Sequence, residues 1–349
     1  MEISVCIITR NEGQMLDKTL AALSLYPFEL VVVDTGSTDN SIEVAKKYTN
    51  CVYEYNWNNS FSDARNFSIS KAGNDMVLIL DTDEIPTDID WKLLIKMAQN
   101  NSDKVGRIEI VNVFTRNKEK KVNRERVSRF FDRKKFCYVG SIHEQVQSLD
   151  GTPYRTYEIP VTVIHSGYDG TPEELRKKAF RNIELLKKEL EIQEDPYILH
   201  QIGKSYYMMG EYEDALVYFE KATSYDLEPR LEYVEDLVVS YGYTLINTKR
   251  MAQALMFENL YAEFSYSCDY VFLMGLIYMN NSLFDAAVEQ FVKATEYSSC
   301  KMDGVNSFLA FYNIGVIYEC LGHTEEALNY YRQCGRYEKA LLRIKELVG

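Results

Sequence analysis

The chain has 349 residues, more than one ordinary folding core holds, so two domains are expected. Its hydrophobic fraction of 46% and charged fraction of 26% are typical of a soluble globular protein, and no apolar run is long enough to span a bilayer. The net charge of −13 falls mostly on residues 170–349, with 18 basic against 28 acidic residues, which disfavours binding to nucleic acid.

The first half alternates predicted strands with predicted helices. Strands are expected at 3–8, 30–34, 52–55 and 76–80, and helices at 14–24, 41–48 and 62–72. Such alternation is typical of an α/β domain whose parallel sheet is covered by helices on both faces. Ligands of these sheets collect beyond the carboxyl ends of the strands, so the polar residues that follow each strand are the candidates for a site.

The second half repeats a helical pattern. Four glycines are each followed twelve residues later by an alanine: Gly203, Gly242, Gly275 and Gly315. Three of them also have an aromatic residue sixteen positions later, whereas the second has Glu258 there. The pattern resembles the tetratricopeptide repeat, in which small residues let helices approach and aromatic rings fill the space between them. We predict an α/β domain at residues 1–169 and an all-α repeat domain at residues 170–349, with an unrelated helical bundle as the alternative for the latter.

Four sequence blocks in the first half carry the chemistry. They are ISVCIITRNE at 3–12, VDTGSTD at 33–39, ARN at 64–66 and DTD at 81–83. Their order and spacing resemble glycosyltransferase family 2, which has the GT-A (Rossmann-like) fold and transfers a sugar from a nucleotide donor. The combination is informative, because a lone Asp-x-Asp is too common to indicate a family.

The resemblance implies donor-binding roles for a set of residues: Thr9, Asn11, Glu12, Asp34, Ser37, Arg65 and Asp81. Asp81 is expected on the ribose and Arg65 on the diphosphate, with a surface ion pair as the alternative for Arg65. Asp83 is expected to hold Mg²⁺ or Mn²⁺, which assists departure of the diphosphate. Because side chains two apart on a strand point the same way, both aspartates are expected to face the ligand.

Two later residues complete the predicted site. The segment VGSIHEQV at 139–146 resembles an Ile-His-Glu block found in part of the family, and Glu144 is the predicted general base, with His143 beside it to orient it. A structural pairing of His143 with Glu144, or Glu84 as the base, are the alternatives. His165 ends the last predicted strand and is expected as an extra metal ligand, since a neutral imidazole suits Mn²⁺, unless it is a packing or capping residue.

A basic run separates the Asp-x-Asp block from these two residues. Ten of the twenty residues at 116–135 are Lys or Arg. We interpret the run as a solvated hairpin, from which Arg129 is the one residue expected to reach the active site.

Together these features predict an inverting, metal-dependent transferase that moves a hexose from a UDP-sugar to a peptide or protein acceptor, similar to bacterial peptide S-glycosyltransferases. The repeats are expected to bind the acceptor and to allow a homodimer. The alternatives are a cell-envelope lipid or oligosaccharide acceptor, or a non-enzymatic repeat scaffold. Seven scattered cysteines and no visible secretory signal predict a cytoplasmic protein with reduced thiols.

Overall fold

The computed structural model describes residues 2–116, 119–165 and 172–349. The chain divides into two compact units, residues 1–175 and 176–349. In the described ranges the strands all lie in the first unit, and the second is helical. The predicted fold class, an α/β domain followed by helical repeats, is confirmed. The predicted boundary between residues 169 and 170 falls outside the described residues, as do residues 117–118 of the basic run.

The first unit contains an eight-stranded sheet and a separate two-stranded sheet. In chain order the strands are β1 (Ile3–Thr9), β2 (Glu29–Asp34), β3 (Val52–Glu54), β4 (Met76–Asp81), β5 (Glu84–Ile89), β6 (Val105–Arg116), β7 (Glu119–Asp132), β8 (Phe136–Val139), β9 (Gln145–Ser148) and β10 (Thr156–His165). The order in the large sheet is β3-β2-β1-β4-β7-β6-β10-β5, and β8 pairs with β9 in the small one.

The prediction of a parallel sheet is correct for β1 to β4, which pair in parallel, and β6 also pairs with β10 in parallel. The sheet is nevertheless mixed, because β7 is antiparallel to both β4 and β6, and β5 is antiparallel to β10. The end of the basic run explains the difference, because Phe130 and Phe131 are fully buried and pair with Leu78 and Val77 of β4. Burial of these two rings brings the end of β7 into the middle of the sheet instead of leaving the whole hairpin in solvent.

Helices cover both faces of the sheet. They are α1 (Gly13–Leu23), α2 (Ser41–Ala45), α3 (Phe61–Lys71) and α4 (Trp91–Asn100). Along β1, Val5 and Ile7 pack in a core with Leu16 of α1, while Cys6 belongs to a second core with Ile69 of α3. This alternation follows from the two-residue period of a strand. Helix α2 ends three residues before the predicted end.

From residue 172 onward the described chain is helical. The helices are α5 (Pro172–Ile192), α6 (Pro196–Met209), α7 (Tyr212–Ala222), α8 (Glu232–Asn247), α9 (Met251–Ala254), α10 (Tyr261–Phe264), α11 (Cys268–Asn280), α12 (Phe284–Ala294), α13 (Phe308–Cys320), α14 (Thr324–Gln333) and α15 (Glu338–Val348), with a 3₁₀ helix at Leu255–Leu260. The predicted repeats correspond to the pairs α6–α7, α11–α12 and α13–α14, and to α8 with the segmented helix that follows it.

The repeated glycines explain how the helix pairs pack. A Cβ atom placed on Gly275 would lie 2.6 Å from the ring of Phe291, sixteen residues later, and the glycines of the first and fourth repeats show the same close approach to their own aromatic residues. In the second repeat a Cβ on Gly242 would instead lie 2.5 Å from Leu273 in the next repeat. Glu258 occupies the aromatic position there and lies in the 3₁₀ helix. The weakest repeat in the sequence is therefore also the one with different packing.

Candidate active site

The loops that follow β1 and β2 are fastened to each other. The Asn11 Oδ1 atom accepts hydrogen bonds from the backbone N–H groups of Thr38 (2.7 Å) and Asp39 (3.3 Å). The Asn11 N–H donates to Ser37 Oγ (2.9 Å), and the Gly13 N–H donates to Asp39 Oδ2 (3.1 Å). In this structure Asn11 and Ser37 therefore shape the loops, and their predicted contacts with the donor stay predictions.

Thr9 and Asp34 lie at the ends of these two strands, paired with each other and only 3% exposed. Asp34 Oδ2 accepts from the N–H groups of Gly36 and Ser37, both at 2.9 Å. Within the described ranges, Asp34 Oδ1 and Thr9 Oγ1 are buried polar atoms without a hydrogen-bond partner. Since such atoms are costly to leave unpaired, they suit hydrogen bonding to a bound base or ribose.

Glu12 connects the first loop to the Asp-Thr-Asp block. Its N–H donates to Ser41 Oγ (3.1 Å), and its carboxylate accepts a hydrogen bond from the Thr82 hydroxyl. Strand β4 ends at Asp81, so Thr82 and Asp83 lie in the turn before β5. The expectation that both aspartates sit on one strand is therefore wrong, and the two carboxylates have different partners.

Two buried arginines bind the carboxylates around the end of β4. Arg65 donates from Nη2 to Asp81 Oδ1 (2.7 Å) and from Nε to Glu144 Oε1. Arg129 donates from Nη2 to Asp81 Oδ2 (2.9 Å) and to Glu84 Oε1 (3.0 Å). Arg129 of the basic run thus reaches this group, as predicted. Arg65 is not at the surface, because only 5% of its side chain is exposed.

The charges of this network follow from burial and pairing. Burial alone would raise the pKa of Asp81, but Arg65 and Arg129 hold that pKa well below its usual range. Burial raises the pKa of Glu84 above its ordinary value, and Arg129 only partly offsets the shift. Glu84 Oε2 also accepts from the Asp81 N–H (2.9 Å), so both Glu84 oxygens have partners inside the protein. This arrangement supports the turn after β4.

Helix α3 positions Glu144. Asn66 donates from Nδ2 to the Tyr138 carbonyl (2.8 Å) and accepts the Tyr138 N–H at Oδ1 (2.9 Å), so its amide pairs with β8 as a neighbouring strand would. The Phe61 N–H donates to the Ser141 carbonyl in the loop after β8 (2.8 Å). These contacts bring the loop that carries Glu144 onto Arg65. Asn66 was part of a recognised sequence block, but its role as a clamp depends on a strand more than seventy residues away.

Asp83 and His165 form the second charged group. The His165 Nε2 atom lies 3.3 Å from Asp83 Oδ2, and Nδ1 lies 2.7 Å from Asn112 Oδ1. Asn112 in turn donates from Nδ2 to Glu125 Oε1 (2.6 Å). Burial opposes charging of the ring, but Asp83, Glu84 and Asp81 together raise the pKa of His165 above its ordinary value. Sequence reasoning missed Asn112, because no motif connects it to His165.

Asp83 and His165 offer one oxygen and one nitrogen donor, a set that fits Mn²⁺ and, through the carboxylate, Mg²⁺. The part of the chain that the structure describes has no group of three or more His, Cys, Asp or Glu side chains arranged to hold a metal ion. A metal at this position would therefore need further ligands from a bound diphosphate and water.

The predicted residues thus form three groups at one edge of the sheet, and the residues within each group contact one another. Asn11, Glu12 and Ser37 brace the loops, next to Thr9 and Asp34. The ion-paired group is Arg65, Asp81 and Glu144, and the third group is Asp83 with His165. Strands β1, β2, β4 and β10 run in the same direction, so their carboxyl ends meet at this edge. Ligands of α/β sheets bind at such an edge.

Comparison with known sequence families agrees with this geometry. The model of glycosyl transferase family 2 matches residues 4–151. Residues 4–151 are a family 2 glycosyltransferase domain. Two tetratricopeptide repeat models match residues 196–228 and 310–342, which are the first and fourth repeats. The predicted combination of a glycosyltransferase domain with tetratricopeptide repeats is confirmed.

Among curated proteins, the glycosyltransferase SunS of Bacillus subtilis is 22% identical over 233 residues, covering 63% of this chain and 53% of SunS. A TPR repeat-containing protein of Synechococcus elongatus is 37% identical over 83 residues, covering 24% of this chain and 21% of that protein. Chondroitin synthase of Pasteurella multocida is 34% identical over 110 residues, covering 28% of this chain and 11% of the synthase. The chain thus spans about half or less of each of these relatives.

None of the described helices is both long and apolar enough to cross a membrane.

Proposed function

We propose that the protein is an inverting, metal-dependent glycosyltransferase that moves a hexose from a UDP-sugar to a peptide or protein acceptor. The observation that carries this proposal is the meeting of four carboxylates, Asp34, Asp81, Asp83 and Glu144, at one sheet edge within a family 2 domain. Each carboxylate has a different set of partners, so each is suited to a different part of the reaction.

Donor binding is assigned to the ends of β1, β2 and β4. Thr9 Oγ1 and Asp34 Oδ1, which have no partner among the described residues, form hydrogen bonds with the base or ribose. The carboxylate oxygen accepts, and the hydroxyl can donate or accept. Asp81 takes the ribose hydroxyls. Arg65 takes a diphosphate oxygen through Nη1, which is buried and without a partner among the described residues while its other donors hold Asp81 and Glu144.

The metal is assigned to Asp83 and His165. Asp83 would hold a Mg²⁺ or Mn²⁺ ion through a carboxylate oxygen and His165 through Nε2. Such an ion would supply positive charge to stabilise the departing diphosphate. Asp83 lies in the turn directly after Asp81, the residue assigned to the ribose. Because the two residues are only two positions apart, the distance between the metal ligand and the ribose contact is limited by the chain.

Glu144 is assigned as the general base. Its side chain is 10% exposed and is held by Arg65, so its position relative to Asp81 is fixed through one guanidinium group. In a direct displacement the carboxylate takes the proton of the acceptor nucleophile while the bond to the anomeric carbon forms, and the diphosphate leaves from the opposite face. This single displacement inverts the configuration of the anomeric carbon.

The donor and the metal are tested together. Incubation with a panel of nucleotide-sugars, with and without Mn²⁺, should give hydrolysis of a UDP-hexose that depends on the metal. Asp83→Ala should abolish it, and Thr162→Val, a change on the same sheet but on the opposite face of β10 from His165, should not. Metal-independent hydrolysis that survives Asp83→Ala would exclude the metal assignment.

A non-enzymatic scaffold is the remaining alternative within this test. Calorimetry with UDP and Mn²⁺ should detect binding to the wild-type protein. Absence of both binding and hydrolysis would favour the scaffold.

The peptide or protein acceptor is assigned to the repeat unit. Tetratricopeptide repeats bind extended segments, and the similarity to the glycosyltransferase SunS extends over 63% of this chain, beyond the length of the family 2 domain alone. The first helices of the repeats carry half-buried tyrosines such as Tyr207, Tyr243 and Tyr312. Tyr243→Ser and Tyr312→Ser should lower transfer to peptide substrates and leave donor hydrolysis unchanged. Unchanged transfer would argue against peptide binding at these tyrosines.

An oligosaccharide acceptor is the second candidate, favoured by the similarity of 110 residues to chondroitin synthase. It predicts transfer to short oligosaccharides under conditions in which peptides containing Cys, Ser or Thr are not modified. Running both acceptor sets with one donor distinguishes the two candidates.

A further inference from the structure

A row of four polar side chains, the first three joined by hydrogen bonds, crosses the sheet beside the candidate active site. We propose that Asn112 is a positioning residue that fixes the tautomer of His165, so that the Nε2 atom presents its lone pair to a divalent cation. This inference rests on the metal role proposed above for His165. It assigns a function to Asn112 and Glu125, which no sequence motif indicates.

The row runs over three adjacent strands and ends in the turn before a fourth. Glu125 lies on β7, Asn112 on β6 and His165 on β10, and Asp83 immediately precedes β5. The successive distances are 2.6 Å from Asn112 Nδ2 to Glu125 Oε1, 2.7 Å from Asn112 Oδ1 to His165 Nδ1, and 3.3 Å from His165 Nε2 to Asp83 Oδ2. Asn112 is paired with His165 in the parallel register of β6 and β10.

The chemistry of the partners fixes the direction of each hydrogen bond. An ionised Glu125 only accepts hydrogen bonds, so the NH₂ group of Asn112 faces Glu125 and its carbonyl oxygen faces His165. A carbonyl oxygen accepts only, so the ring must donate from Nδ1–H. When the ring is neutral, the Nε2 atom then carries a lone pair.

The lone pair on His165 Nε2 lies close to the carboxylate of Asp83. Nε2 and Asp83 Oδ2 are then two acceptors 3.3 Å apart, an arrangement that is unfavourable unless a proton or a cation lies with them. Without Asn112 the ring would instead carry its proton on Nε2 and donate a hydrogen bond to Asp83. Nε2 would then have no lone pair with which to bind a metal ion. Hydrogen bonding to the second ring nitrogen is the usual means by which proteins orient a histidine ligand.

Burial makes the role of Asn112 hard to replace. Asn112 is 4% exposed, so water has little access to the place of its amide. In Asn112→Leu, a change that keeps the branching and the number of heavy atoms, Nδ1 loses its acceptor, and we expect the neutral ring to shift its proton to Nε2. Mn²⁺ affinity should fall about 10- to 100-fold, the range seen when a partner of a metal-bound histidine is removed. Mg²⁺ affinity should fall less, because Mg²⁺ prefers oxygen ligands.

The experiment uses the full chain with ¹⁵N-labelled histidine. Ring nitrogen chemical shifts are recorded without metal, at a pH well above the pKa of His165, with His165→Gln to assign the signal and the other three histidines as internal references. Mn²⁺ binding is measured in parallel, with UDP present and a protein-free UDP blank, from the free-ion electron paramagnetic resonance signal. The wild-type protein should show Nδ1–H at His165, and Asn112→Leu should show Nε2–H together with weaker Mn²⁺ binding.

A paired exchange separates this role from a general loss of structure. The double variant Asn112→Asp with Glu125→Gln keeps a donor next to an acceptor, so the ring should again carry Nδ1–H and Mn²⁺ affinity should recover. Thr162→Val on β10 should change neither measurement. Nδ1–H retained in Asn112→Leu, or failure of the double variant to restore it in a folded protein, would overturn the role of Asn112. Wild-type protein that shows Nδ1–H but binds no Mn²⁺ even in the presence of UDP would instead refute the metal role in the proposed function.

Discussion

The two units of this protein bring their elements close together by opposite means. In the first, buried charges meet: Arg65 and Arg129 bind Asp81, Glu84 and Glu144 between strand ends. In the second unit, the helices approach closely because each repeat glycine has no side chain and leaves room for an aromatic ring or a leucine of a neighbouring helix. Buried ion pairs fix geometry more than they add stability, whereas close apolar packing stabilises the fold directly. Removing one partner of the buried ion pairs in the first unit should therefore disturb the reaction or lower stability in a pH-dependent way, whereas filling a repeat glycine in the second should lower stability alone.

The largest effect is expected at Glu144. Glu144→Gln keeps an acceptor for Arg65 but removes the base, so transfer to a hydroxyl acceptor should fall about 10²- to 10⁴-fold. The measurement is kcat of transfer at saturating donor, with donor binding followed separately by calorimetry. Glu158→Gln, an exposed change on β10, serves as the control. A loss of less than tenfold would point to a thiol acceptor, which needs less help from a base, or to another base.

The next largest effect is expected at Arg129. Arg129→Met leaves the buried carboxylate of Glu84 without its arginine and should lower the free energy of unfolding by about 3–5 kcal/mol at neutral pH. Glu84 already has a raised pKa, and loss of Arg129 raises it further and also raises the pKa of Asp81. Both carboxyl groups are then more easily protonated in the folded state than before, so the destabilisation should shrink as the pH falls toward 5.

Urea unfolding of Arg129→Met at several pH values measures this dependence. Arg126→Met, on the same strand but with a third of its side chain exposed, should cost less than about 1 kcal/mol at every pH. Adding Glu84→Gln should recover part of the loss at neutral pH. A destabilisation that did not vary with pH would mean that Glu84 and Asp81 are not its source.

A smaller effect, confined to stability, is expected in the repeats. Gly275→Ala places a methyl group 2.6 Å from the ring of Phe291 and should cost about 1–3 kcal/mol through overpacking. Phe291→Leu in the same chain should relieve part of this cost. Asn280→Ala, exposed on the same helix, is the control, and donor hydrolysis should be unchanged in all three. A neutral Gly275→Ala would mean that the helix pair has room to move apart.

The smallest effect, no change at all, is expected from reducing agents. All seven cysteines are free thiols, and burial raises the pKa of Cys6 and Cys268 to about 12, which keeps both protonated. The thermal unfolding midpoint should be the same with and without dithiothreitol. A lower midpoint under reduction would reveal a disulfide in solution.

Local patterns allowed much of the fold to be predicted. The apolar runs at 3–8 and 76–80 are strands β1 and β4, and the glycine spacing marks the repeats because a missing side chain is required at each close approach. The antiparallel strands of the sheet were not predicted. The charged composition of β7 suggested a solvated hairpin, whereas its two phenylalanines, Phe130 and Phe131, pair with β4. The end of β4 was predicted to within one residue, but the turn at Thr82 and Asp83 was missed, since Thr82 is held by Glu12 from another loop.

The sequence by itself determined the two-part architecture, the family of the first domain and the identity of most candidate residues, because each depends on residue type and spacing along the chain. Only the tertiary structure decided which of these residues touch. That Asp81 belongs with Arg65, Arg129 and Glu144, and Asp83 with His165 and Asn112, depends on strands up to about eighty residues apart meeting at one sheet edge. Such long-range pairings are fixed by packing of the whole sheet, which no local pattern encodes.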